Sequence, residues 1–331
     1  DYRMDTGLVT PQSGKDYPAN WNAFLDWFGS EEACLTYLEG LRWPQGFVCP
    51  VCGVAEAAYR ATRGRLMCSS CGHQGTVTAG TIFDKTRTPL RVWLAAAWYL
   101  TNQKHGVSAL GLQRVLGLGS YQTAWTMLHR LRQAMVRPDR ERLKGQVEVD
   151  ETYLALGDRH APAGAKRRKS NTAKAQVIIA VETLQPKGFG RIRLRRIDND
   201  ATESVIPFVQ TSVEPGSQVR TDGSAAYRSL SDLGYAHQKT VMLGSDVPAH
   251  QSMPGVHRVA SLVQRWILGT HHGAVQPEHL DAYLDEFVFR FNRRTSRSRG
   301  MLFYRLLQQA VATGPVTYGE IVGLPKAVKH R

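Results

Sequence analysis

The chain has 331 residues, 42% hydrophobic and 21% charged, the composition of a globular protein with room for two or three domains. Its 42 basic and 28 acidic residues leave a formal charge of +14, a field that favours polyanions, nucleic acid first and acidic membrane surfaces second. No stretch approaches the roughly 18–20 apolar residues of a membrane span. The first residues lack the basic-then-apolar pattern of a signal peptide, so the expected location is the cytoplasm, with no membrane partner.

Residues 1–45 read as an N-terminal helical segment. Trp21, Phe24, Leu25 and Phe28, then Leu35, Leu38 and Leu41, recur at helical spacing and break at Gly29-Ser30. Residues 46–80 hold Cys49-x2-Cys52 and, after fifteen intervening residues, Cys68-x2-Cys71. Each Cys-x2-Cys turn delivers two thiolates to adjacent tetrahedral corners, and the glycine behind each pair, Gly53 or Gly72, frees the tight turn. The spacing predicts a zinc ribbon with one structural Zn2+ in a reducing compartment, with short strands near residues 58–60, 65–67 and 75–78. Cys34 stands outside this set and reads as a small buried apolar residue.

Residues 81–145 read as helical, and residues 81–148 carry a net charge of +7. Thr88-Pro89 opens a helix to about Thr101. Ser108 then caps a short helix from Ala109 to Leu116, Gly117-Leu118-Gly119 turns, and Ser120 caps a longer helix to about Met135. This predicts a helix-turn-helix whose second helix brings Arg130, Arg132 and Gln133 to DNA.

From residue 146 the period changes. Strands are expected at residues 147–154, 176–183 and 190–197, a helix at 201–209, a strand at 218–221, a helix at 224–230 and a strand near 239–243. Helices at 256–268, 277–291 and 301–312 follow. Periodicity alone says α/β, and the element order is that of an RNase H-like fold. Residues 146–313 are expected to form this domain, with a basic tail at 314–331. Lys166, Arg167, Arg168 and Lys169 lie between the first two strands, where a basic loop can hold a nucleic-acid backbone.

In Val147-Glu148-Val149-Asp150, alternation puts Glu148 and Asp150 on one face, with Glu151 beyond facing the other. An acidic group amid strand residues must be paired, solvated or metal-bound. Asp222 ends the short strand before Gly223. Adjacent parallel strands would bring Asp150 and Asp222 to one sheet edge, close enough to share hard cations of the kind used in phosphodiester chemistry. His257, 35 residues beyond Asp222, shares a helix face with Ser261 and Gln264.

Cys49–Cys71, the 104–135 segment, Val149-Asp150-Glu151-Thr152-Tyr153, Thr221-Asp222-Gly223, Trp266–Gly273 and Tyr283–Arg294 together resemble one family. It is the bacterial insertion-sequence transposases that join an N-terminal zinc ribbon to a DDE-type, RNase H-like catalytic domain. The fold class this implies is multidomain α+β, with zinc-ribbon and helix-turn-helix modules preceding an α/β catalytic domain. The resemblance covers roughly residues 20 to 312. It implies cleavage at terminal inverted repeats and strand transfer into target DNA, with two Mg2+ or Mn2+ ions held by Asp150, Asp222 and His257. His257 falls at a position the group fills with glutamate, asparagine or histidine. Double-stranded DNA, both element ends and target, is the implied partner. Synapsis of two ends implies a homodimer or higher oligomer associated with the nucleoid.

The group usually carries lysine where this chain has Gln264, and a polar residue is common at Leu262. Glutamine keeps the reach and loses the charge, so Gln264 and the adjacent Arg265 are the expected DNA contacts there. A domesticated, non-cutting DNA-binding derivative is the alternative this departure raises, and a structure-specific nuclease on the same fold is another. Arg290, Arg293 and Arg294 form a basic edge suited to the DNA backbone. Asp285 and Glu286 read as solvated or ion-paired, and His271-His272 as a helix cap.

Overall fold

Gly29-Ser30 interrupts the first apolar repeat, and the chain there turns from one helix into the next. The computed structural model describes residues 10–56, 58–156, 174–240 and 252–323. It divides into two compact units, residues 1–135 with 295–331, and residues 136–294. No helix among the described residues is long and apolar enough to cross a membrane.

In the first unit, α1 (Trp21–Trp27) is capped by Asn20 and α2 (Glu31–Arg42) by Ser30, whose Oγ accepts from Ala33 N at 3.1 Å. Three short antiparallel strands follow: β1 (Tyr59–Arg60), β2 (Leu66–Met67) and β3 (Gln74–Gly75). The third stops earlier than residue periodicity predicts. Arg42 reaches the carbonyls of Thr76, Val77 and Ala79 at 2.7–3.2 Å, so the backbone there turns instead of pairing. α3 (Leu90–Asn102) begins at Pro89 with no local side-chain cap. The Glu31 carboxylate supplies one, accepting from Leu90 N at 2.6 Å and Arg91 N at 3.2 Å.

α4 (Ala109–Leu116) ends on Gly117 at φ +62°, and α5 (Tyr121–Gln133) starts from Ser120. α9 (Arg299–Ala312) and α10 (Tyr318–Ile321) complete this unit. The sequence pattern assigns residues 301–312 to the catalytic segment, but the structure places them in the first unit. The reason is aromatic packing: Phe303 meets Phe24, Phe28, Tyr37 and Trp98 at centroid distances of 5.2–6.4 Å. Gly300 permits the approach, since a Cβ there would lie 2.5 Å from Pro18 O.

The second unit is built on a five-stranded sheet in the order β6-β5-β4-β7-β8. β4 (Gln146–Ala155), β5 (Lys174–Thr183) and β6 (Phe189–Ile197) run antiparallel, and β7 (Gln218–Asp222) and β8 (Ala236–Thr240) continue it in parallel with β4. β5 reads as a continuous apolar run because both its faces are buried: Val177, Ile179 and Val181 on one, Ile178 and Ala180 on the other. α6 (Thr202–Ser212) and a 3-10 helix (Ala225–Leu230) cover the second face. α7 (Pro254–His271) and α8 (Leu280–Asn292) cover the first. α8 also protects the edge strand β6: Asn292 Oδ1 accepts from Ile192 N at 2.8 Å and Asp281 Oδ1 from Arg196 N at 2.9 Å.

Candidate active site

Two parallel strands part at the point where the sequence places its acidic residues. β4 and β7 pair from Gln146–Gln218 to Glu148–Arg220 and no further, while β7 stays paired with β8 as far as Asp222. Asp150 and Asp222 each lie two residues beyond the last shared pair. By alternation both point to the face that α7 covers. The opening at the carboxyl ends of parallel strands is where open α/β sheets bind ligands.

Burial pushes the Asp150 carboxyl up to about 6, the negative charges of Asp222 and Glu148 adding to it and the Glu151 N–H, donating at 2.8 Å, opposing it. Asp222 Oδ1 accepts from Ser224 N at 3.0 Å, fixing the exit from β7. Glu151 faces the other side of the sheet, as alternation predicts, and accepts from the hydroxyl of the fully buried Tyr227. Burial raises its carboxyl to about 7, with Asp150 and Asp222 contributing. Asp150 and Asp222 offer oxygen donors of the kind a hard divalent cation takes, and such a cation would stabilise the ionised form of Asp150 that burial disfavours.

His257 lies half-buried in the first turn of α7. Its helix face is turned to β4, since Gln264, seven residues on, accepts from Ala155 N at 3.4 Å. Asp150, Asp222 and His257 therefore share one face of the sheet, but their ligand atoms do not all fall within 4.8 Å of one another. Glu148, which the sequence marks only by its face, proves central: Oε2 accepts from Gly255 N at 2.7 Å and Val256 N at 3.1 Å. An acidic residue on a buried strand face was the available signal, because such a group must find a partner.

The other candidate residues divide clearly. Arg132 is 1% exposed and so is withdrawn from the DNA contacts expected of α5, a buried guanidinium being unable to reach phosphate. Arg130 donates to Ile82 O at 3.2 Å. On α5 it is Tyr121, Gln122 and Gln133 that face solvent. Lys166, Arg167, Arg168 and Lys169 lie outside the described residues. Arg265 is exposed, whereas Gln264 is committed to β4. Arg293 sits over the Phe289 ring at 4.1 Å, and Arg294 over Phe291 at 4.0 Å while donating to Gly190 O and Phe189 O. Arg294 is partly spent on holding α8 to β6, and Arg293 folds back on its own helix, donating to Phe289 O.

Glu286 is fully buried and paired with Arg290 at 2.8 Å, so the ion-paired reading holds and the solvated one does not. His272 takes the left-handed conformation that ends α7, the capping role expected of this pair.

In the ribbon, Cys49 and Cys71 lie 3.7 Å apart and Cys52 and Cys68 3.6 Å apart, and all four thiols fall within 4.8 Å of one another. The edge of a tetrahedron with Zn–S bonds of about 2.3 Å is roughly 3.8 Å. Gly53 and Gly72 adopt φ +72° and +71°, the left-handed turns that let their N–H groups return to Cys49 O and Cys68 O. The Cys52 N–H draws the Cys49 thiol down to about 6, toward the thiolate a metal needs. Cys34 is buried with no part in this set, and burial raises its thiol to about 11.

The model of the ISXO2-like transposase domain matches residues 142–292, and that of the transposase zinc-ribbon domain residues 29–74. A Halobacterium salinarum protein, described as an uncharacterized protein in transposable element ISH50, is 27% identical over 278 residues, covering 80% of this chain and 91% of that protein. The zinc-ribbon match falls within the first unit, over α2 and the ribbon, and the transposase-domain match falls within the second, over the sheet and its helices. The chain thus carries a transposase zinc-ribbon domain followed by an ISXO2-like transposase domain.

Proposed function

We propose that this transposase binds the terminal inverted repeats of an insertion sequence and carries out strand cleavage and strand transfer on an RNase H-like domain. The observation that carries the reading is the placement of Asp150 and Asp222 on one face, past the last pair of two diverging parallel strands. The strand order and the match to a transposase domain support it.

Asp150, Asp222 and His257 would hold two divalent cations, Mg2+ or Mn2+. Bound there, these ions supply activation of the attacking oxygen and charge relief at the leaving oxygen. The chain's own part is positional. β4 and β7 set the gap between the carboxylates, and α7 brings imidazole to the same face. Water attacks the phosphodiester at the element end, freeing a 3′-hydroxyl, which then attacks a target phosphodiester in line. No residue forms a covalent bond to DNA. Imidazole is a softer donor than carboxylate, so Mn2+ is expected to support the reaction better than Mg2+. The zinc ribbon and the α4–α5 helix-turn-helix would read the element ends, with at least two chains in the complex that joins them.

A second reading has one observation in its favour. Gln264 stands at the usual lysine position and is hydrogen-bonded to β4, so a non-cutting DNA-binding derivative is the competitor. The test is to incubate DNA ending in the element's flanking repeats with a target plasmid, in Mn2+ and in Mg2+, beside Asp150→Ala. Joined products that vanish in the variant support the transposase. Tight end-specific binding with no joining in either metal supports the derivative.

A further inference from the structure

We propose, resting on the reading of Asp150, Asp222 and His257 as a metal-ligand set, that Glu148 is the positioning residue that assembles it. One buried carboxylate touches all three elements that carry the ligands. Glu148 is 2% exposed and stands on β4 two residues before Asp150. Its Oε1 lies 3.9 Å from the guanidinium of Arg220, on β7 two residues before Asp222. Its Oε2 accepts from Gly255 N and Val256 N at the start of α7, and Gly255 is two residues before His257.

The helix depends on this contact. Met253 caps α7 with no side-chain hydrogen bond, so its first N–H groups turn to Glu148 across the fold. A carboxylate at a helix N-terminus also meets the positive end of the helix dipole. Glycine at 255 is what lets the backbone come this close, because a Cβ there would lie 2.8 Å from Glu148 Oε2 and 3.2 Å from Val181 Cγ1. Glu148 thus works through His257 and Asp222 and has no role of its own on DNA.

The test uses the full-length, zinc-loaded protein and Mn2+ as probe. Calorimetry reads affinity, and electron spin echo modulation reads imidazole nitrogen bound to the ion. In wild type the nitrogen signal is expected to be present and lost in His257→Ala. Glu148→Ala should bind Mn2+ about 10–100-fold more weakly, the usual cost of removing a group that orients a ligand, and without the nitrogen signal. Glu148→Gln, which keeps an acceptor oxygen for α7, should restore most of that signal. Gly255→Ala, which pushes the helix off an intact Glu148, should behave like Glu148→Ala. If Glu148→Ala does not fold, Gly255→Ala and Glu148→Gln decide. Wild-type affinity and nitrogen signal in a folded Glu148→Ala or Gly255→Ala overturn the positioning role alone. Mn2+ binding indifferent to Asp150→Ala overturns the ligand set, and the positioning role falls with it.

Discussion

Asp150 and Asp222 occupy equivalent positions on two parallel strands, each two residues past the Glu148–Arg220 pair where β4 and β7 separate. Strand pairing thus fixes the approach of two carboxylates, and burial, with the charge of Asp222 adding to it, keeps Asp150 from ionising easily. Such an arrangement is held against its own electrostatics. Asp150→Asn should therefore stabilise the metal-free protein at pH 7.5, by of order 1–3 kcal/mol. Chemical denaturation of the second unit checks this, and a loss of stability would show that the carboxylate is structural.

The same shift gives a pH dependence with a definite sign. A carboxyl at about 6 in the folded chain, above its ordinary value of 3.8, keeps a proton the unfolded chain has lost. Its stabilising contribution is complete below about pH 4 and disappears as pH rises through 6. Glu151, at about 7, acts in the same direction. A divalent cation competes with the Asp150 proton, so millimolar Mn2+ should raise the melting temperature at pH 7.5 and do little at pH 5. Equal stabilisation at both pH values would place the binding elsewhere.

The four thiols predict one zinc per chain, with zinc binding lost in Cys68→Ser. Because the ribbon's strands are only two residues each, metal supplies most of its order. Zinc content by atomic absorption, read beside proteolysis of residues 46–80, tests this. A zinc-free chain with a protease-resistant ribbon would contradict it.

Gln264 accepts a hydrogen bond from Ala155 N, which lysine cannot do. Gln264→Lys should therefore cost about 1 kcal/mol of stability and bring no gain in strand cleavage. A clear rise in cleavage would mean that glutamine there is a loss of function and not an accommodation.

Much of this organisation is legible in the sequence because it rests on local rules. The cysteine spacing specifies the ribbon, alternation places Asp150 and Glu151 on opposite faces, and Ser108, Gly117 and Ser120 punctuate two helices. What escapes are contacts between segments distant in the chain. Nothing near Phe303 announces that it packs on Phe24 and Trp98, and so α9 reads as part of the wrong unit. Arg132 follows a helical period that looks basic and exposed, yet it is buried. Glu148 is visible as an acid on a strand, but its partners at Gly255 and Val256 lie more than a hundred residues away.

The most direct test is nicking of element-end DNA by wild type, Asp150→Asn and Asp222→Asn in Mn2+, with binding to the same DNA measured on the same samples. The expected result is metal-dependent nicking at the ends by wild type and none by either variant, with binding retained in all three. Nicking that survives in either variant, or a wild type that nicks in neither Mn2+ nor Mg2+, would contradict the assignment of this site.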